Sequence, residues 1–215
     1  MRFSIGAVIL AAAVSVAALP AQDAAATDLL TSSPLKWTGQ IHLDQAPVTL
    51  EGTAQEIYEK IISINPNYDE ELGLESSNAT LAARDLGLEK RRAPTSSDFT
   101  CGYGNYVGAL PIGLGIQYLY KIGNADCVAP AGKPGAGGCS RVSCSDNSGI
   151  WLCNDQSFET HIPCTLIADN AVEILIQCQY TNYAGGNTWN SFVRGQIFST
   201  DRGWNTIINS AGGSC

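Results

Sequence analysis

His161 is the lone histidine in the cysteine-rich part of this chain, and Asp155 and Glu159 stand shortly before it. An imidazole next to carboxylates is the smallest kit for general acid–base chemistry, because imidazole titrates near neutrality and a carboxylate can orient its ring. A small hydrolase using His161 with Asp155 or Glu159 is therefore one expectation. The competing expectation is a solvated polar loop, and geometry decides between them. The rest of the chain offers no stronger catalytic pattern. A serine hydrolase needs a Gly-x-Ser-x-Gly elbow, and none occurs. Glycoside hydrolysis needs two facing carboxylates. The candidates are Asp98, Asp126, Asp146, Asp155, Glu159, Asp169, Glu173 and Asp201, scattered with no spacing that pairs them. APAGKPGAGG at 129–138 is glycine-rich but lacks the Lys-Ser/Thr of a phosphate-cradling loop, and reads as a flexible connector. No enzyme class, cofactor or metal follows from these residues.

Charge argues against nucleic acid. Residues 93–215 carry Lys121, Lys133, Arg141, Arg194 and Arg202 against eight acids, a net charge of −3. Phosphate backbones are bound through clustered positive charge. Most aromatics fit strand or helix faces as core. Tyr180, Tyr183 and Trp189 differ, because they fall in a polar stretch rich in Gly and Asn, and aromatics exposed there mark a contact surface for protein or sugar.

Three segments differ in composition. Arg2, the apolar run Ile5–Leu19 and Ala-Leu-Pro-Ala at 18–21 have the layout of a secretory signal peptide over residues 1–21. The run is shorter than the roughly 20 apolar residues of a membrane span. Residues 22–92 have no cysteine and set twelve acids against six basic residues, a net charge of −6. Within them Asn78-Ala-Thr80 is a glycosylation sequon, and Thr53–Ile62 is the best of three weak helical patterns, with Thr53 and Glu56 at capping-box spacing. The acidic segment ends at Lys90-Arg91-Arg92, a dibasic signal for a kexin-type protease, so it reads as a removed pro-segment. Leu81-Ala-Ala-Arg84 and Leu88-Glu-Lys-Arg91 resemble the processing signals of fungal secreted pro-proteins.

Residues 93–215 hold Cys101, Cys127, Cys139, Cys144, Cys153, Cys164, Cys178 and Cys215. An even count behind a secretory signal predicts four disulfides, with 105 conceivable pairings. Zinc would need Cys-x-x-Cys-like pairs, which the spacings do not provide. In this part, Arg141–Cys144 and Ile150–Cys153 predict a hairpin around the polar loop 145–149. Cys164, Ile167, Ala171, Leu175 and Cys178 recur on one helical face behind Pro163. Leu110–Ile122 predicts a second helix, with Ile112, Ile116 and Leu119 inward. Phe99–Val107 reads as extended and Thr181–Asn190 as a loop. Phe192–Phe198 and Trp204–Ile208 read as strands joined by Thr200–Gly203, with Gly203 at positive φ. The expectation is an α+β fold: a disulfide-stapled sandwich of two helices on a small antiparallel sheet, preceded by a weakly helical pro-segment.

CSRVSCSDNSGIWLCND at 139–155, the helix from Cys164 to Cys178, and Arg194-Gly-Gln-Ile-Phe198 before a terminal Cys215 resemble the small cysteine-rich secreted proteins of filamentous fungi. The same order is similar to fungal killer-toxin-like folds, although killer toxins carry exposed basic residues and this segment is acidic. Asp98-Phe-Thr-Cys-Gly102 resembles the opening of secreted fungal ribonucleases, over that short stretch alone. The resemblance implies a secreted, monomeric, non-enzymatic effector that binds a host or competitor protein, or a glycan, and contributes to virulence. A killer-toxin-like antifungal or cytotoxic protein is the alternative.

Overall fold

The computed structural model describes residues 32–74, 99–123, 125–133, 137–184, 188–213 and 215, and within 182–190 the backbone alone. The expected signal peptide, Asn78, Lys90-Arg91-Arg92 and the side chains of Tyr183 and Trp189 lie outside the described residues.

Two strands from the described part of the acidic segment are built into the main sheet. Strand β1 (Ser33–Gly39) alternates Leu35 and Trp37, both buried, with the partly exposed Lys36 and Thr38, a period of two that fits a sheet with one face on the core. It pairs antiparallel with β2 (Val48–Gly52). Helix α1 (Ala54–Ile64) follows at once, opened by the capping box expected from sequence. Thr53 Oγ1 accepts from the Glu56 amide at 3.3 Å. In return the Thr53 amide donates to Glu56 Oε2 at 2.7 Å. A single turn, α2 (Tyr68–Glu71), buries Tyr68.

The cysteine-rich part opens with two short strands, β3 (Phe99–Thr100) and β4 (Val107–Gly108), and runs into helix α3 (Ala109–Lys121). Ile112, Ile116 and Leu119 are buried as the periodicity requires. Gly115, which weakens a helix in isolation, is needed here, because a Cβ at that position would run into the Ser143 side chain. Next come β5 (Asp126–Ala129), β6 (Gly138–Ser145), β7 (Ser148–Asn154) and β8 (Thr160–Pro163). Helix α4 (Cys164–Cys178) has the bounds its cysteines suggest, with Pro163 one position outside as the N-cap. The chain closes with β9 (Tyr180–Ala184), β10 (Thr188–Val193), β11 (Gly195–Phe198) and β12 (Trp204–Ser210).

The class is α+β with four disulfides, but the expected small sandwich of two helices is corrected. Among the described residues there are four helices and a nine-stranded mixed sheet, in the order β3-β11-β12-β7-β6-β1-β5-β8 with β2 on β1. A second sheet runs β4-β10-β9. The difference arises because β1 completes the large sheet. It pairs parallel with β6 at Ser33–Ser140 and Pro34–Arg141, and antiparallel with β5 over Lys36–Thr38.

Four local expectations also change. The β6–β7 loop is only Asp146-Asn147, both at positive φ (47° and 57°), the backbone of a tight primed hairpin turn rather than the longer loop expected. Positive φ before β12 falls on Arg202 (55°), not on Gly203. Phe192–Phe198 breaks at Arg194 into β10 and β11, and the expected loop 181–190 is largely the β9–β10 hairpin. The signal for that hairpin lies in Tyr180, Thr181, Tyr183, Thr188, Trp189 and Phe192, all β-formers, which the surrounding Gly and Asn outweigh when the sequence is read alone.

One hydrophobic core joins Leu35, Trp37, Ile57, Ile61 and Tyr68 to Ile112, Leu119, Ile150, Leu152, Ile167 and Ile174. The opposite face of β7 and β12 carries a smaller cluster of Trp151, Cys153, Ile207 and Ala211, with Cys139, Cys144 and Tyr103 packed against it. Four disulfides are present: Cys101–Cys178 and Cys127–Cys164 in the main core, Cys139–Cys153 between the paired strands β6 and β7, and Cys144–Cys215.

Candidate functional site

The second sheet gathers the most pronounced exposed aromatic group among the described residues. Phe192 on β10 pairs with Gly108 on one side and Tyr180 on the other, which brings Tyr106, just before β4, toward Tyr180 on β9. Their ring centroids are 6.2 Å apart at 47°, within the range of favourable aromatic pairing. Tyr106 is 49% exposed and Tyr180 53%. The Arg194 guanidinium lies 4.3 Å from the Tyr106 ring centroid, a cation–π contact. Its Nη1 donates to the Gly104 carbonyl at 2.9 Å. The loop carrying Tyr106 is held from beneath. The Asn105 amide donates to Oδ1 of the buried Asn209 at 2.7 Å, and Gly104 adopts φ 78° directly against that side chain, where a Cβ would collide. Leu110 and Leu114, one turn apart and exposed, start the outer face of α3 immediately after β4. This is an amphipathic surface on a hydrogen-bonded support, with a cation stacked on one of its aromatic rings. Such surfaces hold partners by burying aromatic area at little cost in side-chain freedom.

Of the residues singled out from sequence for contact, Tyr180 belongs to this surface. Tyr106 and Arg194 were missed, since both are distant from Tyr180 along the chain and only strand register unites the three.

His161 sits elsewhere, on the outer face of the large sheet. Register aligns Lys36 of β1, Val128 of β5 and His161 of β8 in one row. His161 Nε2 is 3.3 Å from Glu159 Oε1, and its Nδ1 is 3.4 Å from Asp126 Oδ2. Lys36 Nζ reaches Glu159 Oε2 at 3.1 Å. The hydrogen bond from Lys36 holds the Glu159 carboxyl below its usual range. Glu159 is placed by the buried Asn154, whose Nδ2 donates to the carbonyls of Pro130 (3.0 Å) and Phe158 (2.6 Å). The expected pairing with Glu159 is therefore present, and Asp126 is an unforeseen member. Asp155 turns the other way, toward Asn205 Nδ2 at 3.5 Å, and burial pushes its carboxyl up.

The His161 side chain is 50% exposed, and both its ring nitrogens face carboxylates on an open sheet face. That is the form of a solvated polar network around the exposed Lys36–Glu159 ion pair, a kind of pair that contributes about 0–1 kcal/mol. General acid–base work is favoured by a cleft that desolvates the group and seats a substrate.

The cysteines do structural work. Cys127 and Cys164 are fully buried and pin the start of α4 to β5, and Cys144–Cys215 ties the chain end to the β6–β7 hairpin. Among the described residues no cluster of three or more His, Cys, Asp and Glu side chains is arranged to hold a metal, and no helix is long and apolar enough to cross a membrane. No known protein family, curated protein or solved structure matches the chain.

Proposed function

We propose that this chain is a secreted, disulfide-stapled protein that works by binding a host or competitor protein, without turning over a substrate, in the manner of fungal effectors that contribute to virulence. The observation that carries the reading is the half-exposed Tyr106–Tyr180 pair with Arg194 stacked on it, held on a hydrogen-bonded support outside the core. Four disulfides suit an oxidising, extracellular setting. The dibasic Lys90-Arg91-Arg92 is the proposed site of cleavage by a kexin-type protease, and Asn78 the proposed glycan site. The protein acts as a monomer.

Purified protein is applied to host tissue and to competing fungi, with Tyr180→Ala, Tyr106→Ala and His161→Ala alongside. Both tyrosine variants are expected to lose activity by about tenfold or more, as central interface aromatics do, with the fold intact. His161→Ala is expected to act as wild type. Full activity in both tyrosine variants would sink the proposed surface, and inactivity of a folded His161→Ala would return the hydrolase reading. Growth inhibition confined to competing fungi would favour a killer-toxin-like role over a host effector.

A further inference from the structure

All eight cysteines lie between 101 and 215 and pair among themselves, so residues 32–74 have no covalent tie to the rest except the backbone leading from Leu74 to Phe99. Their place in the fold is nevertheless central. In the strand order β1 links the five strands β3-β11-β12-β7-β6 to the pair β5-β8. Withdrawing it would leave ladder groups of β5 and β6 without partners. It would also uncover the core face of α3, since Leu35, Trp37, Ile57 and Ile61 are fully buried in the cluster that includes Ile112, Leu119 and Ile122. The seam between α1 and α3 is closed by a specific group. Tyr58 and Tyr118 meet at 5.9 Å, Lys121 Nζ lies 4.5 Å over the Tyr58 ring, and the Tyr58 hydroxyl donates to Asp69 at 2.7 Å. Trp37 Nε1 and the Tyr68 hydroxyl both donate to the Ile122 carbonyl, and Trp151 Nε1 donates to Ser32.

We infer that the cysteine-rich body carries an interaction surface, formed by β5, β6 and α3, whose partner is this chain's own segment 32–74, and that the two remain a non-covalent, two-chain particle once the backbone between Leu74 and Phe99 is cut. That the cut is made in nature rests on the processing reading above; the docking does not. The acidic segment is on this view a retained light chain, and the species that meets a target presents both pieces. The Lys36–Glu159 ion pair on the outer sheet face belongs half to each.

The test uses full-length protein in which residues 88–93 are replaced by the recognition sequence of a site-specific protease, with cutting verified on a denaturing, non-reducing gel. Two bands on that gel, together with undiminished mass by native mass spectrometry and size exclusion, are the expected result. An N-terminal fragment that separates under native conditions overturns the inference. In a Trp37→Ala background the cut is expected to release the fragment at least about tenfold faster, since interface truncations act mainly on dissociation. Should that variant fail to accumulate, Ile57→Val is the milder trim, expected to speed release severalfold. Cleavage in nature is read separately, from the N-termini of protein recovered from culture medium. Failure to find one after Arg92 removes the processing proposal and leaves the docking result standing.

Discussion

The indole Nε1 of Trp37 donates to the backbone carbonyl of Ile122 at 3.1 Å, joining distant parts of the sequence in a site closed to solvent. Ile122 is the C-cap of α3, so its carbonyl is one of those a helix end leaves without an intrahelical partner. The acidic segment thus supplies the cap of a helix in the cysteine-rich part, and fills the space beneath it with the same side chain.

Trp37→Ala should therefore be among the most damaging single changes. Loss of a fully buried tryptophan is expected to cost about 3–5 kcal/mol. The Ile122 carbonyl is then left with the longer bond from Tyr68 at 3.4 Å. Trp37→Phe keeps most of the volume and should lose far less, with about 1 kcal/mol from the missing hydrogen bond. Urea unfolding of both variants measures the difference. Equal losses would show that the ring volume kept by phenylalanine does not matter, because both variants lose the indole N–H.

Gly115→Ala tests how closely α3 lies on the sheet. In an exposed helix the change would stabilise by about 1 kcal/mol. Here the new methyl meets the Ser143 side chain. Overpacking of about 1–3 kcal/mol should reverse the sign. The double variant Gly115→Ala/Ser143→Gly is expected to recover part of the loss, and a melting series on all three proteins reads it out.

The capping box gives a pH dependence with a definite direction. The hydrogen bond from the Thr53 amide is the main reason that Glu56 ionises below its ordinary value of 4.5. A carboxyl whose folded pKa is lowered contributes stability that is present in full above the unfolded pKa and is lost as pH falls through the folded one. Glu56→Ala should cost about 0.5–1 kcal/mol at neutral pH, and the gap from wild type should narrow as pH drops below that ordinary value. A gap independent of pH would mean that the charge on Glu56 is not what caps the helix.

Tyr180 and Arg194 should separate binding from stability. Tyr180 is half exposed, so its truncation to alanine leaves the core untouched. Tyr180→Ala is expected to remove target binding while shifting the unfolding free energy only within the narrow range of ordinary surface substitutions. Arg194→Ala leaves the Gly104 carbonyl without its 2.9 Å donor and unstacks Tyr106. That variant should lose about 1–3 kcal/mol of stability as well as binding. Calorimetry on the two variants distinguishes a contact residue from a residue that holds the contact in place.

Much of the local structure was legible in the residues. Cys164, Ile167, Ala171 and Cys178 marked a helix whose ends match the observed Cys164–Cys178, because a face repeating every three to four positions has few other solutions. Thr53 and Glu56 marked the start of α1 for an equally local reason. The strand β1 was legible in principle, since Leu35 and Trp37 alternate with Lys36 and Thr38. The acidic, cysteine-free composition around it pointed to a weakly helical segment outside the sheet instead, and composition carries no information about which strand a period-two segment will join.

The sequence by itself determined the number of disulfides to expect, the two long helices and the scarcity of histidine. Tertiary structure alone decided which of 105 cysteine pairings form, that the helices cover a nine-stranded mixed sheet, and that Tyr106, Tyr180 and Arg194 share one surface while Lys36, Asp126 and His161 share another. The physical reason is the range of the interactions. Helix periodicity and capping act between near neighbours in the chain, whereas strand register and disulfide geometry depend on which distant segments the common core brings within reach.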